Sequence, residues 1–239
     1  MSASDINWPI VGIALSGALI LLLRDWRVTC TALLANYIFV ALFLAQQQFI
    51  TPDLRLGGVA VSTTVLVKVI TGVAATAILV ITALTFSREY NLEDLDEFSL
   101  AELRRAARRA QRQRASEPFR PADYIVPFWA LVLAAIASLA LPRLYPIGTS
   151  EVDFAWYWLG LTGLFTLVTA SDTLKIGLGL LLCASSVDLL YTAIASTVQV
   201  FPLAMLSLMT IVLALAIAYL SGLLYGRLKT LELNELYKR

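Results

Sequence analysis

The sequence predicts an all-α, polytopic membrane helix bundle with seven transmembrane helices, and three observations carry that prediction. Of the 239 residues, 59% are apolar and 15% are charged, whereas a soluble domain is nearer half apolar and a quarter charged. The apolar residues gather in runs of about 18 or more, each long enough to cross a bilayer as a helix. The basic residues collect in alternate connections between these runs.

The apolar runs set the predicted boundaries. Backbone polar groups in lipid must be satisfied within their own segment, so continuous runs imply helices. They divide the chain into helices one to three in residues 1–86, a connecting segment at 87–123, and helices four to seven in 124–239. The third run is long, which predicts a tilted or protruding helix. The runs cover residues 8–23, 28–48, 59–86, 124–141, 153–171, 173–195 and 201–226.

The positions of lysine and arginine predict an orientation with the N-terminus outside and the C-terminus inside. In that orientation fifteen of the 18 basic residues fall on the cytoplasmic side. Arg55 and Arg143 fall outside, and Lys68 lies within the third run. Cytoplasmic connections are normally the basic ones. Removing one helix would break this alternation, so the charge pattern supports seven helices independently.

The connecting segment 87–123 is strongly basic. Ser99 and Glu102 have the spacing of a capping box, which predicts a helix start. One interpretation is an interfacial helix on anionic lipid headgroups, each arginine contributing about 1 kcal/mol. The other is a docking surface for an acidic partner subunit, and the two are compatible. Nucleic-acid binding is not expected, because no aromatic stacking platform accompanies the arginines. These are Arg104, Arg105, Arg108, Arg109, Arg112 and Arg114.

Two ionisable residues lie deep in the predicted spans, where charges are costly and suggest function. Lys68 lies about nine residues and Asp188 about eight residues from the outer ends of their runs, at roughly 12–14 Å depth. Their matching depth and opposite sign predict an ion pair across a helix interface, or two stations of a polar path. Alternatively, Lys68 extends outward to the surface and Asp188 bonds to a hydroxyl such as Ser185 or Tyr191.

Other chemistry is not indicated by the sequence. The absence of histidine removes the usual metal and haem ligands. Cys30 and Cys183 have no CxxC spacing and are interpreted as free core residues. No catalytic motif, phosphate-binding loop or dinucleotide fingerprint is present, so no catalytic residue, cofactor or metal site is predicted. Asp172 and Lys175 are expected to be solvated at the inner end of the sixth helix.

The C-terminal third carries a family resemblance. The stretch 171–186, SDTLKIGLGLLLCASS, is followed by a final span and then by LKTLELNEL at 228–236. This layout, over residues 171–236, resembles the K subunit of complex I and is similar to the C subunit of Mrp cation/proton antiporters.

Over its full length the chain resembles the hydrogenase-4 component E family, which has the same seven-span layout. The shared features are the turn WRVTC at 26–30, a lysine in the third span, Lys68, and the TLE tail at 230–232. The resemblance covers most of the chain but not the basic segment 87–123.

The resemblance implies a multi-pass subunit of a bacterial or archaeal plasma membrane, beside antiporter-like subunits of a redox-driven or antiporter complex. It also implies a contribution to a lateral proton or cation path, or to the join between modules. In the K subunit of complex I, membrane glutamates belong to the proton path. Here Gly179 occupies the first of those positions and residues 201–226 contain no carboxylate, so those roles are not transferred. Asp188 is a candidate relocated carboxylate.

Two other function classes remain open. An independent small-solute or ion transporter would be expected to show internal repeats or broken helices with polar midplane residues. A membrane anchor could instead dock a soluble enzyme through the basic segment.

Overall fold

The computed structural model describes residues 7–23, 25–47, 53–56, 59–88, 122–170, 172–195 and 200–228. Within these ranges the chain forms seven α-helices and one two-stranded antiparallel hairpin, so the expected all-α fold is confirmed. The elements are α1 (Trp8–Leu22), α2 (Trp26–Gln46), β1 (Asp53–Leu56), β2 (Val59–Ser62), α3 (Thr63–Arg88), α4 (Ala122–Leu144), α5 (Ser150–Val168), α6 (Thr173–Ile194) and α7 (Val200–Leu228).

Five helices of the described residues are long and apolar enough to cross a membrane, namely α2, α3, α4, α6 and α7. α1 has 15 residues and is shorter than a typical span. α5 has 19 residues and carries Glu151 and Asp153 in its first turn. Large apolar side chains such as Ile70, Trp129 and Met209 are exposed on the outer faces of the bundle. Such surfaces are unfavourable in water and suit a lipid environment, so the chain is a membrane protein.

The predicted start of the third span is wrong. Residues 59–62 form strand β2, which pairs with β1 so that Leu56 faces Val59 and Asp53 faces Ser62. The helix begins only at Thr63. Short apolar runs do not distinguish a strand from a helix. The signal overlooked was the Gly57-Gly58 dipeptide between two alternating segments, which is typical of a hairpin with a two-residue connection.

Six helices close into a ring in the order α1, α2, α3, α7, α6 and α5. α2 and α6 also contact each other across the ring, and α4 packs outside it against α5 and α1. The ring therefore has two halves that share α2 and α6. The first, called the scaffold half, consists of α1, α2, α5 and α6. The second, called the polar half, consists of α2, α3, α6 and α7.

Side-chain hydrogen bonds tie helices together at the hairpin end of the bundle, where α1 and α5 begin and α2 ends. Glu151 Oε2 accepts hydrogen bonds from Asn7 Nδ2 at 2.8 Å and from Gln47 Nε2 at 3.2 Å. Asn7 precedes α1 and Gln47 follows α2, so the carboxylate joins the ends of α1, α2 and α5.

Lys175 ties α6 to α1 at the opposite end, called the basic end. Its Nζ donates to the carbonyl oxygens of Leu21 at 3.0 Å and Leu23 at 3.4 Å. A cation at a helix C-terminus satisfies the last carbonyls and complements the helix dipole. Lys175 is only 4% exposed, so the expectation of a solvated lysine is wrong. Asp172 instead caps α6 by accepting from the Lys175 backbone N–H at 2.6 Å.

Glycine allows α5 and α6 to pack closely in the scaffold half. A Cβ added to Gly163 would lie 2.7 Å from Cys183 Sγ and 2.9 Å from the Gly179 carbonyl oxygen. Ser186 Oγ also crosses this interface and donates to the Trp156 carbonyl at 2.7 Å. Small residues and interhelical hydrogen bonds are the usual means of joining helices in membranes.

We expect Gly163→Ala to lower the free energy of unfolding by about 1–3 kcal/mol, because the added methyl group forces α5 and α6 apart. Gly222→Ala is the matched control, since a Cβ at Gly222 meets no atom within 4 Å, and it should be neutral or slightly stabilising. Unfolding by denaturing detergent in mixed micelles measures both. Equal losses would contradict the close packing.

Asp153 fixes the turn between α4 and α5. Its carboxylate accepts from the backbone N–H groups of Ile147 at 3.1 Å and Gly148 at 2.9 Å, and from Trp156 Nε1 at 3.4 Å. The side chain is 1% exposed. The nearby Glu151 also accepts hydrogen bonds but is exposed.

Asp153→Ala should therefore lower the free energy of unfolding by about 2–3 kcal/mol, because hydrogen bonds to a buried charge are lost. Glu151→Ala should cost less than about 1 kcal/mol, since exposed charges are screened by solvent. The same unfolding measurement compares them. A larger loss in the Glu151 variant would show that the turn does not depend on Asp153.

Candidate functional site

The structure brings Lys68 and Asp188 together. Lys68 Nζ on α3 forms a salt bridge with Asp188 Oδ2 on α6. The residues are 1% and 6% exposed, respectively, so Lys68 does not extend to the surface. Removing two charges from water costs several kcal/mol per ion, and their mutual attraction offsets this cost only when geometry is favourable. Burying the pair is therefore costly, and it is compensated only by the close contact of the two charges.

The helix boundaries set the depth of the pair. Lys68 comes five residues after Thr63, the first residue of α3, and Asp188 comes six residues before Ile194, the last of α6. At 1.5 Å per residue, both lie about 8–9 Å from the hairpin end. For Lys68, the distance to the helix start is shorter than the predicted one because residues 59–62 form a strand. The equality of the two depths, on which the predicted pairing depended, is retained.

Two close helix contacts fix which residues lie at the same height along the bundle axis, here called the same level, as the Lys68–Asp188 pair. Tyr37 on α2 packs directly onto Gly72 on α3, and Ile217 on α7 packs directly onto Gly177 on α6. Because neighbouring chain segments run antiparallel, counting from the first contact places Ala41 level with Lys68.

Counting from the second contact places Ser207 within one residue of the level of Asp188. At the height of the pair, α2 thus carries a small residue and α7 carries a hydroxyl-bearing residue.

Several buried polar atoms of the polar half have no hydrogen-bond partner within the described part of the chain. They include Asp188 Oδ1 and the hydroxyl groups of Tyr37, Thr64, Thr76 and Ser207. Buried polar groups in proteins are nearly always bonded to protein or to internal water. These atoms therefore mark places in the polar half where water is expected, some of them next to the pair.

Sequence reasoning missed most of these hydroxyl groups, although α3 contains a signal. Thr64, Lys68, Gly72 and Thr76 recur every four residues and are all buried. Residues four apart lie on one face of a helix. A lysine embedded in a row of threonine and glycine therefore indicated a polar helix face directed into the bundle.

The remaining predicted site residues stand as follows. Arg104, Arg105, Arg108, Arg109 and Arg112 lie outside the described residues. Among the described residues, no group of three or more His, Cys, Asp or Glu side chains is arranged to hold a metal ion. Cys30 and Cys183 are free thiols.

No family model, curated protein or solved structure matches this chain. The resemblance to hydrogenase-4 component E and to the K subunit of complex I therefore stays a prediction.

A double-mutant cycle tests the energetic coupling of the pair. Lys68→Met or Asp188→Asn alone should lower the free energy of unfolding by about 3–5 kcal/mol, since each leaves one buried charge uncompensated. The double variant should lose less than the sum of the two single variants, because it buries no lone charge. Detergent unfolding of the four proteins gives the coupling energy. Additive losses would show that the two groups do not interact.

Proposed function

We propose that the chain is a non-catalytic membrane subunit of a complex I-like, hydrogenase-4-like or Mrp-like ion-translocating assembly. In this proposal all seven helices span a bacterial or archaeal plasma membrane. The hairpin end faces outside and the basic end faces the cytoplasm. The positions of Arg27, Lys175 and the basic segment 87–123 support this orientation.

The Lys68–Asp188 salt bridge is the observation that carries the proposal. A helix bundle needs no buried ion pair for stability, since apolar residues of similar volume often serve as well or better. Ionisable residues retained within a membrane bundle commonly belong to ion paths and proton relays. Asp188 Oδ2 forms the salt bridge with Lys68, and Asp188 Oδ1 has no partner among the described residues. That second oxygen is available to a water molecule, a proton or a small cation.

The proposed step is a change of partner at Asp188. While the carboxylate is paired with Lys68, both groups are charged. A proton or cation reaching the free oxygen weakens the salt bridge, and its departure restores the bridge. Such a reversible exchange would let this subunit pass charge to a neighbouring antiporter-like subunit. The apolar outer faces of α4 and α7 offer surfaces for neighbouring subunits or lipid, and the arginines of segment 87–123 suit anionic headgroups or an acidic partner.

An independent ion transporter is the second candidate, and the same salt bridge favours it. The two readings differ in what purifies with the chain. Large antiporter-like membrane proteins that co-purify in mild detergent would support the subunit reading. Ion transport by the chain alone in liposomes would support the transporter reading.

Asp188→Asn should reduce coupled ion movement by about a hundredfold or more, because a group that transfers protons commonly contributes that much. Asp172→Asn is the matched control, since the asparagine oxygen still caps α6, and it should behave like the unmodified chain. Inverted vesicles from cells carrying each variant, with a pH-sensitive dye, report the movement. Unchanged behaviour of both variants would remove Asp188 from any ion path.

A further inference from the structure

We infer that water reaches the Lys68–Asp188 pair from the hairpin end only, and that an apolar layer seals the pair from the basic end. The layer consists of Cys30 on α2, Leu79 on α3, Gly177 on α6 and Ile217 on α7. Only the identification of the entering species as a transported ion rests on the proposed function. The sidedness rests on the packing of the polar half.

Counting residues along the helices places the four residues of the layer at the same level. Leu79 lies eleven residues beyond Lys68, and Gly177 lies eleven residues before Asp188, both toward the basic end. Each is therefore about 16 Å from the level of the pair.

The contacts that bring in α2 and α7 give the same level. Ile217 contacts Gly177 directly. Cys30 lies seven residues before Tyr37, and Leu79 lies seven residues after Gly72, so Cys30 and Leu79 are level as well. Each helix of the polar half thus contributes one residue to the layer.

The layer has the properties of a seal. Cys30, Leu79 and Ile217 belong to the buried hydrophobic core, and Gly177 is buried beneath the Ile217 side chain. A buried water normally needs two or more polar partners, and these side chains offer only a thiol. Apolar constrictions of this kind stop ions, because an ion would lose its hydration shell there.

Several polar groups lie on the hairpin side of the layer. The unpartnered hydroxyl groups of Thr64, Tyr37 and Ser207 and the free Asp188 oxygen all lie between the layer and the hairpin end. Thr76, three residues before Leu79, is the last of them along α3. Thr64 lies on the hairpin side of the pair, Ser207 lies level with it, and Tyr37 and Thr76 lie between the pair and the layer. They offer polar partners for internal water around the pair, up to the apolar layer.

A second polar site lies beyond the layer. Ser221 comes four residues after Ile217, and Thr173 comes four residues before Gly177, so the two face the same level at the basic end. Both carry buried hydroxyl groups without a partner in the described segments. About 6 Å of helix separates them from the layer. Polar positions therefore lie on both sides of one apolar barrier.

Cysteine accessibility to silver ion tests the inference, because the ion is small, does not cross lipid, and replaces the proton of a thiol. The background carries Cys30→Val and Cys183→Ala. Ser207→Cys reports on the pair side of the layer, Ser221→Cys on the basic side, and exposed Glu151→Cys marks the hairpin end. Sealed right-side-out or inverted vesicles are treated briefly with silver ion. The protein is then denatured, and the thiols that have not reacted are quantified with a maleimide.

Ser207→Cys should react about tenfold faster or more from the face that reacts with Glu151→Cys, which corresponds to a barrier difference of about 1.4 kcal/mol. Ser221→Cys should show the opposite preference. Adding Leu79→Ala and Ile217→Ala should open the layer and make Ser207→Cys reactive from both faces. Thr64→Cys is a second reporter on the pair side if the Ser207 variant does not fold.

Equal reaction of Ser207→Cys and Thr64→Cys from both faces in the intact layer would overturn the seal. No reaction from either face would overturn the water-filled access. These outcomes are independent of ion movement. If sidedness is as expected while Asp188→Asn leaves ion movement unchanged, the proposed function fails and the one-sided site stands.

Discussion

The constraint on which the rest of the structure depends is the burial of two opposite charges inside an apolar helix bundle. Lys68 and Asp188 come from α3 and α6, which sit diagonally across the polar half. Neither charge is tolerable there alone, so the two helices must hold equal depth and fixed rotation. The hairpin before α3 sets where that helix begins. The Tyr37–Gly72 and Gly177–Ile217 contacts then hold the helices in register.

The two halves of the ring carry different kinds of interaction. The scaffold half contains side-chain hydrogen bonds between helices: Asn36 Nδ2 donates to Ser16 Oγ at 2.9 Å, and Lys175 Nζ donates to the Leu21 carbonyl at the end of α1. Among the described residues, Asn36 Oδ1 and Trp158 Nε1 lack a partner in this half. Glycine brings α5 and α6 into close contact. The polar half instead keeps several hydroxyl groups without a protein partner in the described residues. Rigid packing on one side thus supports a hydratable interior on the other, with α2 and α6 as the shared walls.

Much of this arrangement could be predicted from the sequence, because hydrophobic length determines helices in a membrane. The seven helices and the matching depth of Lys68 and Asp188 follow from run lengths alone. The hairpin was missed because Val59–Ser62 is as apolar as a helix start, and only Gly57-Gly58 distinguishes it. The roles of Lys175 and Asp153 could not be inferred, since each depends on a carbonyl or turn brought near only by tertiary packing. Orientation and partners are properties of the membrane and its other proteins, which the fold alone does not fix.

The most direct measurement of the central claim is the distance between Lys68 Nζ and Asp188 Cγ in a lipid bilayer. Solid-state NMR with ¹⁵N-labelled lysine and ¹³C-labelled aspartate provides it, and Lys68→Met identifies the signal. A salt bridge requires a nitrogen-to-oxygen separation within about 4 Å, so strong dipolar coupling between the two labels is expected. A weak coupling, with Lys68 reaching the bilayer surface and Asp188 bonded to a hydroxyl group, would contradict the account.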